Sequence, residues 1–302
     1  MSNCKGRTFA LQRALRARSK ETPLPFLPFS PKLSPMKETL LGKPTVYINT
    51  YTPALLHPIP RTLGRDNIGL TAPLPFDGVD LWTGFELSWL NPKGKPVISL
   101  ADFSFPCISP FIVESKSFKL YLNSFNQTKF GSVEEVRQTL IRDLSAAAGS
   151  SVNVTLFSHG APVPIADFNG FCLDDLDIAT DIYSVTPSLL TISPEIADQT
   201  YYTHLLKSNC MATGQPDWGS LFIHAIGPKI DPEGLLKYLI SYRNHIGFGE
   251  HCIEKIYYDL LKHCTPSKLT VYARYTRRGG LDINPFRSNF EKAPPNQRLS
   301  RQ

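Results

Sequence analysis

The chain has 302 residues, 42% hydrophobic and 19% charged, which suits one large or two medium globular domains with a sizeable core. Its net charge is +6, but residues 1–20 hold Lys5, Arg7, Arg13, Arg16, Arg18 and Lys20 and no acidic residue, leaving 26 basic against 26 acidic residues over 21–302. A neutral body excludes a general pull toward phosphate backbones, so no direct nucleic-acid binding is expected. No run of about 18 apolar residues predicts a membrane-spanning helix. The six cysteines (4, 107, 172, 210, 252 and 264) include no C-x-x-C pair, which argues against a thiolate zinc site and fits reduced thiols in a cytosolic protein.

Residues 1–35 are Arg-rich and then Pro-rich. They read as a disordered extension, with a targeting peptide as the alternative, and Met36 as an alternative start. Asp80 to Leu90 alternates apolar and polar residues as a half-buried strand does. Pro96 to Phe105 repeats this, and Asn91 to Lys95 is the turn of the hairpin. Phe118, Tyr121, Leu122 and Phe125 fall at helical spacing. Ser132-Val-Glu-Glu135 is a capping box that opens a helix to Ala148. Val152 to Phe157 returns as a strand. The order then repeats, with strands at Tyr201–Ser208 and Ser220–Ile226, helices at Asp231–Arg243 and Glu250–His263, and a strand at Lys268–Thr276. Tyr121-Leu-Asn-Ser-Phe125 also matches Tyr238-Leu-Ile-Ser-Tyr242, and together these predict a tandem duplication. The expected division is an extension (1–35), an N-terminal half (36–180) and a C-terminal half (181–302).

The most informative stretch is Ser208-Asn-Cys210-Met-Ala-Thr-Gly-Gln-Pro-Asp217-Trp-Gly219. A strand pattern stops at Cys210, a loop with Gly214 and Pro216 folds back, and Asp217 precedes the next strand. A thiolate is the reactive form of cysteine. Asp217 cannot lower the thiol pKa by its charge, so its chemical role beside a nucleophile is proton transfer. Spacing alone favours a structural cysteine beside a turn. Glu114 stands at the start of a helix, where a carboxylate usually partners the dipole; it also suits a guanine-like edge, since one carboxylate accepts from an amino group and a ring N–H together. Lys116 and Lys119 read as solvated charges. Arg277-Arg-Gly-Gly280 is either a basic turn or a phosphate grip. Gly247-Phe-Gly-Glu-His-Cys252 fails the dinucleotide fingerprint. Cys252 and Cys264 read as packing residues, and His159, His204 and His224 as structural rather than metal ligands.

Glu114-Ser-Lys-Ser-Phe-Lys-Leu-Tyr121, Cys210-x6-Asp217-Trp218, Tyr242-Arg-Asn-His245 and Arg277-Arg-Gly-Gly-Leu-Asp-Ile-Asn-Pro285 together resemble the NADPH-dependent 7-cyano-7-deazaguanine reductases in their long, tandem form, from about Leu40 to Ser288. The resemblance implies an α+β tunnelling fold (T-fold), with antiparallel sheets and paired helices in two halves that form a barrel on oligomerisation as a homodimer. It implies reduction of the substrate's nitrile to an aminomethyl group with two NADPH and no metal, on the pathway to queuosine in tRNA. By position, Cys210 is the nucleophile that forms a covalent thioimide and Asp217 the proton donor. Val113, Glu114, Ser115, Gly249 and Glu250 line the substrate base, and Ser115, Lys116, Arg278 and Gly279 hold NADPH.

One position departs. The family usually has Phe-His-Glu where this chain has Phe248-Gly249-Glu250. His251 lies two residues beyond the missing histidine, about 200° around a helix, so it is expected to face away. Two rival readings stay open: a cyclohydrolase-like pterin enzyme, which would need a Cys/His metal site near Cys210, and a non-catalytic deazapurine-binding protein.

Overall fold

The computed structural model describes residues 47–158, 160, 165–211 and 213–302. The expected extension over 1–35, the alternative start at Met36, and His159 lie outside the described residues. In chain order the elements begin with strand β1 (Pro58–Pro60), helix α1 (Thr62–Ile68), strands β2 (Asp77–Leu90), β3 (Pro96–Pro106) and β4 (Phe111–Val113), helices α2 (Ser115–Asn123) and α3 (Val133–Ala148), and strand β5 (Asn153–Phe157). After β6 (Phe171–Cys172) come the long strands β7 (Ile192–Cys210) and β8 (Pro216–Ile230), helix α4 (Pro232–Ile240), β9 (Ile246–Gly247), helix α5 (Gly249–Cys264), and strands β10 (Lys268–Tyr275) and β11 (Leu281–Ser288).

The main sheet runs β5-β3-β2-β11-β10-β8-β7, with β6 and β9 pairing along the outer edge of β7. Its long pairs are antiparallel, and only β6 and β9 run parallel to β7. The chain is therefore an α+β protein built on a large, mainly antiparallel sheet. Two apolar cores lie beneath two helix pairs. In one, Trp82 and Phe103 pack with Phe118 and Tyr121 of α2 and Leu140 of α3; in the other, Leu221 and Val271 pack with Leu239 of α4 and Ile256 of α5.

Local chemistry sets the helix starts. The Ser132 hydroxyl accepts the Glu135 N–H at 3.1 Å, as the capping box predicts, but the Glu135 carboxylate accepts the Gly131 N–H at 2.6 Å instead of that of Ser132. Asp231 caps α4 by accepting the Gly234 N–H at 2.8 Å. Glu114 is the N-cap of α2, its two oxygens accepting the N–H groups of Lys116 (2.8 Å) and Ser117 (2.7 Å).

The sequence pattern does not reveal β11. Asp282, Asn284 and Pro285 interrupt its apolar run, and proline in a central strand removes a ladder bond. The structure tolerates this because β11 pairs with β2 along Leu281–Ser288, but with β10 only through Phe286–Ser288. Pro285 thus sits where the β10 ladder has stopped. Gln302 occupies the resulting gap. Its amide nitrogen donates to the Tyr275 carbonyl (2.9 Å) and to Asn284 (2.8 Å), and its amide oxygen accepts from Arg274 (2.5 Å). Because these partners are buried, Gln302→Ala is expected to lower stability by about 1–3 kcal/mol. Urea unfolding measures this, and an unchanged midpoint would show that water replaces the amide without loss.

Candidate functional site

The β7–β8 hairpin brings the cysteine and the aspartate together. Cys210 is the last residue of β7, and its N–H donates to the Gln215 carbonyl at 2.9 Å. Gly214 takes φ +67°, the left-handed conformation that closes such a turn. Ser208 pairs with Asp217 in the ladder. Side chains alternate across a strand, so Ser208, Cys210 and Asp217 share one face, with Cys210 and Asp217 as diagonal neighbours. Asp217 is the second residue of β8 and not, as the sequence suggested, a loop residue before the strand. That rigid seat fixes it relative to the thiol.

Five other segments close the cleft: Ser115 and Lys119 from α2, Gly249 from the first turn of α5, Tyr275 at the end of β10, Arg278 in the loop that follows, and Leu281 and Ile283 of β11. Arg278 pairs with Asp217 at 3.1 Å. Burial raises the Asp217 pKa, and Arg278 and Lys119 partly oppose that rise. The carboxyl therefore stays protonated to higher pH than an ordinary aspartate, as a proton donor requires. Cys210 is 8% exposed. Cys252 is fully buried with its thiol pushed up to about 12 by burial, and Cys264 likewise, so both are inert packing thiols at neutral pH.

Two further recesses matter: one shares Lys119 and Leu281 with this cleft, and the other is lined by Glu250, next in the chain to Gly249 of the cleft. A cavity of about 360 Å³ is lined by Lys116 and Lys119 on one side and Gly279 and Gly280 on the other. Both glycines have positive φ (59° and 77°); a Cβ at Gly280 would strike Glu86, and one at Gly279 would crowd Lys119. A glycine turn opposite two lysines, with Arg278 beside it, fits a phosphate-bearing ligand such as NADPH. The other recess is a narrow crevice between Val113 and Glu250, with Arg61 and Asp80 at its base. Burial, reinforced by Asp80, pushes the Glu250 pKa up to about 7.

The folded chain thus holds the Glu250 proton more tightly than the ordinary value of 4.5 allows. The associated stability is fully present below pH 4.5 and is lost as pH rises through about 7. Glu250→Gln removes that loss. In the ligand-free protein it is expected to gain on the order of 1–3 kcal/mol at pH 8 and little at pH 4.5. Denaturant unfolding at the two pH values tests this, and equal stabilities at pH 8 would defeat it.

The expected site residues therefore fall into three recesses. Cys210, Asp217, Ser115, Gly249 and Arg278 line the cleft, Lys116 and Gly279 the larger cavity, and Val113 and Glu250 the crevice. Glu114 is buried, with its carboxylate turned to the α2 backbone.

Known proteins supply the deciding comparison. Residues 47–156 match the family described as "Nitrile reductase, 7-cyano-7-deazaguanine-reductase N-term", and residues 216–294 match "QueF-like protein". The proteins named NADPH-dependent 7-cyano-7-deazaguanine reductase in Burkholderia thailandensis and Burkholderia multivorans are each 55% identical to this chain over 267 residues, covering 87% of it and 97% of their own length. That of Paraburkholderia phytofirmans is 55% identical over 271 residues, covering 88% of this chain and 99% of its own. The chain belongs to the NADPH-dependent 7-cyano-7-deazaguanine reductase family. It is of the long form, carrying both family segments, and those segments imply the T-fold.

Membership in this reductase family gives the departure at Gly249 a physical setting. Gly249 opens α5 beside the cleft, and a Cβ there would lie 3.0 Å from the Tyr275 ring. His251 does not replace the missing side chain. It packs against Gly64 of α1, and burial lowers its pKa to about 4. Tyr275 and Lys119 also line the cleft, and the sequence did not single them out as site residues. Lys119 was read as solvated, yet it is half-buried at the junction of the cleft and the larger cavity. A signal was present, since Lys119 follows Ser115 by four residues and so shares its helix face. His204 and His224 are held by hydrogen bonds, to Ser220 and to Asp198 and Glu291 respectively. No helix among the described residues is long and apolar enough to cross a membrane.

Proposed function

We propose that this chain reduces the nitrile of 7-cyano-7-deazaguanine to the aminomethyl group of 7-aminomethyl-7-deazaguanine, on the route to queuosine in tRNA. The observation that carries this reading is the shared sheet face of Cys210 and Asp217 in a cleft joined to a lysine- and glycine-lined cavity. A nitrile carbon is electrophilic. Cys210 adds to it, an S–C bond forms, and the nitrile nitrogen takes a proton from Asp217, giving a thioimide. NADPH, when bound, supplies the two hydride equivalents that full reduction of the nitrile needs. The S–C bond breaks after the first, and the nitrogen receives further protons through the Asp217 carboxyl. Arg278 holds that carboxyl in place.

Val113, Glu114, Ser115, Gly249 and Glu250 line the substrate base in this reading, and Ser115, Lys116, Arg278 and Gly279 hold the cofactor. Glu250 is costly to ionise where it lies, and the amino and ring N–H donors of a guanine-like edge would relieve that cost. We read residues 36–180 and 181–302 as the two T-fold halves, and the assembly as a cytosolic homodimer whose sheets close a barrel. The test of the reaction is NADPH oxidation that depends on added nitrile. A protein that binds deazapurines without reducing them gives none.

The missing side chain at Gly249 carries its own prediction. Gly249→His is expected to lower the substrate KM and raise turnover by several-fold, provided the Tyr275 ring yields a few tenths of an ångström. Steady-state kinetics decide it, and values equal to wild type for both constants would make the position irrelevant to this enzyme.

A further inference from the structure

Attack by a cysteine requires its thiolate, and a thiolate in a buried setting is costly unless a positive charge stands near it. The thiol is buried at 8% exposure. Asp217 shares its sheet face, and Glu250 and Cys252 belong to α5, whose first residue, Gly249, lines the same cleft. Tyr275 of β10 lines the cleft as well, and Glu114 at the head of α2 precedes Ser115 of its lining. Every one of these is acidic or neutral, and an anion beside an anion is unfavourable.

Two cations line the cleft, Arg278 and Lys119. Arg278 is engaged by Asp217 at 3.1 Å. Lys119 has no such commitment: among the described residues no carboxylate lies within 4.0 Å of its ammonium. Its stem is nevertheless fixed. It runs beneath Gly279, where a Cβ would lie 3.1 Å from its Cδ and Cε and 3.3 Å from its Nζ. A Cβ there would crowd the lysine and push its stem aside by a few tenths of an ångström. Lys116, three residues earlier, lines the larger cavity and not the cleft. Lys119 and Cys210 line the same cleft, and the Lys119 pKa is lowered by burial and Arg278, with Glu114, Cys210 and Asp217 opposing that fall in part.

We propose that Lys119 is a positioning residue whose charge stabilises the thiolate of Cys210, with Gly279 holding its stem over the cleft. The proposal rests on Cys210 being the nucleophile. Its test needs neither substrate nor NADPH, so it fails or stands apart from the reaction. The rate of Cys210 alkylation by iodoacetamide, followed by peptide mass, is measured against pH in wild type, Lys119→Met, Lys119→Gln and Lys119→Arg.

The midpoint of the profile is expected to rise by about one pH unit in the two neutral variants, slowing alkylation at pH 7 about tenfold. Lys119→Arg should stay near wild type. Thermal unfolding identifies which neutral variant is folded, and that one is scored. A folded neutral variant whose profile overlies that of wild type would overturn the proposal. So would a Lys119→Arg shift as large as that of the neutral variants, since the effect would then belong to packing and not to charge.

Discussion

Cys210→Ala is expected to reduce nitrile-dependent NADPH oxidation by at least about a thousandfold, roughly 4 kcal/mol of transition-state stabilisation. The same variant should lose the covalent adduct that intact mass spectrometry detects in wild type given the nitrile without NADPH. The expectation follows from placement. Cys210 ends β7 against a tight turn, with its N–H held by Gln215 and its side chain on the face of Asp217. Little besides the thiol changes on truncation to alanine, so binding by Glu250 and its neighbours should persist while chemistry stops. An adduct that survives in Cys210→Ala would remove this residue from the mechanism and leave the rest of the fold untouched.

The second large effect lies beneath the site. Arg287 of β11 is fully buried, and its guanidinium reaches Asp80 of β2 at 2.8 Å and Glu254 of α5 at 2.9 Å. Arg61 completes the cluster on Asp80, and Arg65 donates to both Glu254 oxygens at 2.7 and 2.8 Å. Replacing Arg287 with methionine leaves two carboxylates short of a partner where water cannot reach them, and is expected to cost about 3–5 kcal/mol. Denaturant unfolding at pH 7 measures it, and a loss below about 1 kcal/mol would mean the remaining arginines suffice. The cluster also predicts acid lability. Burial raises the Glu254 pKa, but Arg287 and Arg65 more than compensate and hold it at about 2, below its ordinary 4.5. Its contribution is therefore present above pH 4.5 and lost as pH falls through about 2. Glu250 stands one helical turn before Glu254 on the same face of α5, so the buried ions that secure the helix also set the carboxylate expected to read the substrate.

The sequence by itself carried the hydrophobic periods, the capping signals and the order of elements, because each is written within one short window. Leu87 and Trp89 announce the end of β2 by alternation, although a bulge between Gly84 and Leu87 takes Phe85 out of phase with them, and Ser132 and Glu135 announce α3 by side chains that reach their own backbone. The family motifs were legible for the same reason. What only the tertiary structure decided depends on partners far apart in the chain. Strand β11 is polar and carries a proline, and it forms because β2 pairs with it and Gln302 fills the gap beside β10. The strand seat of Asp217 depends on the β7 ladder. Lys119 looks like a surface lysine until the Gly279 loop, 160 residues later, closes over its stem. A window of neighbouring residues states what a segment prefers; burial and ion pairing depend on what packs against it, and here that comes from the other end of the chain.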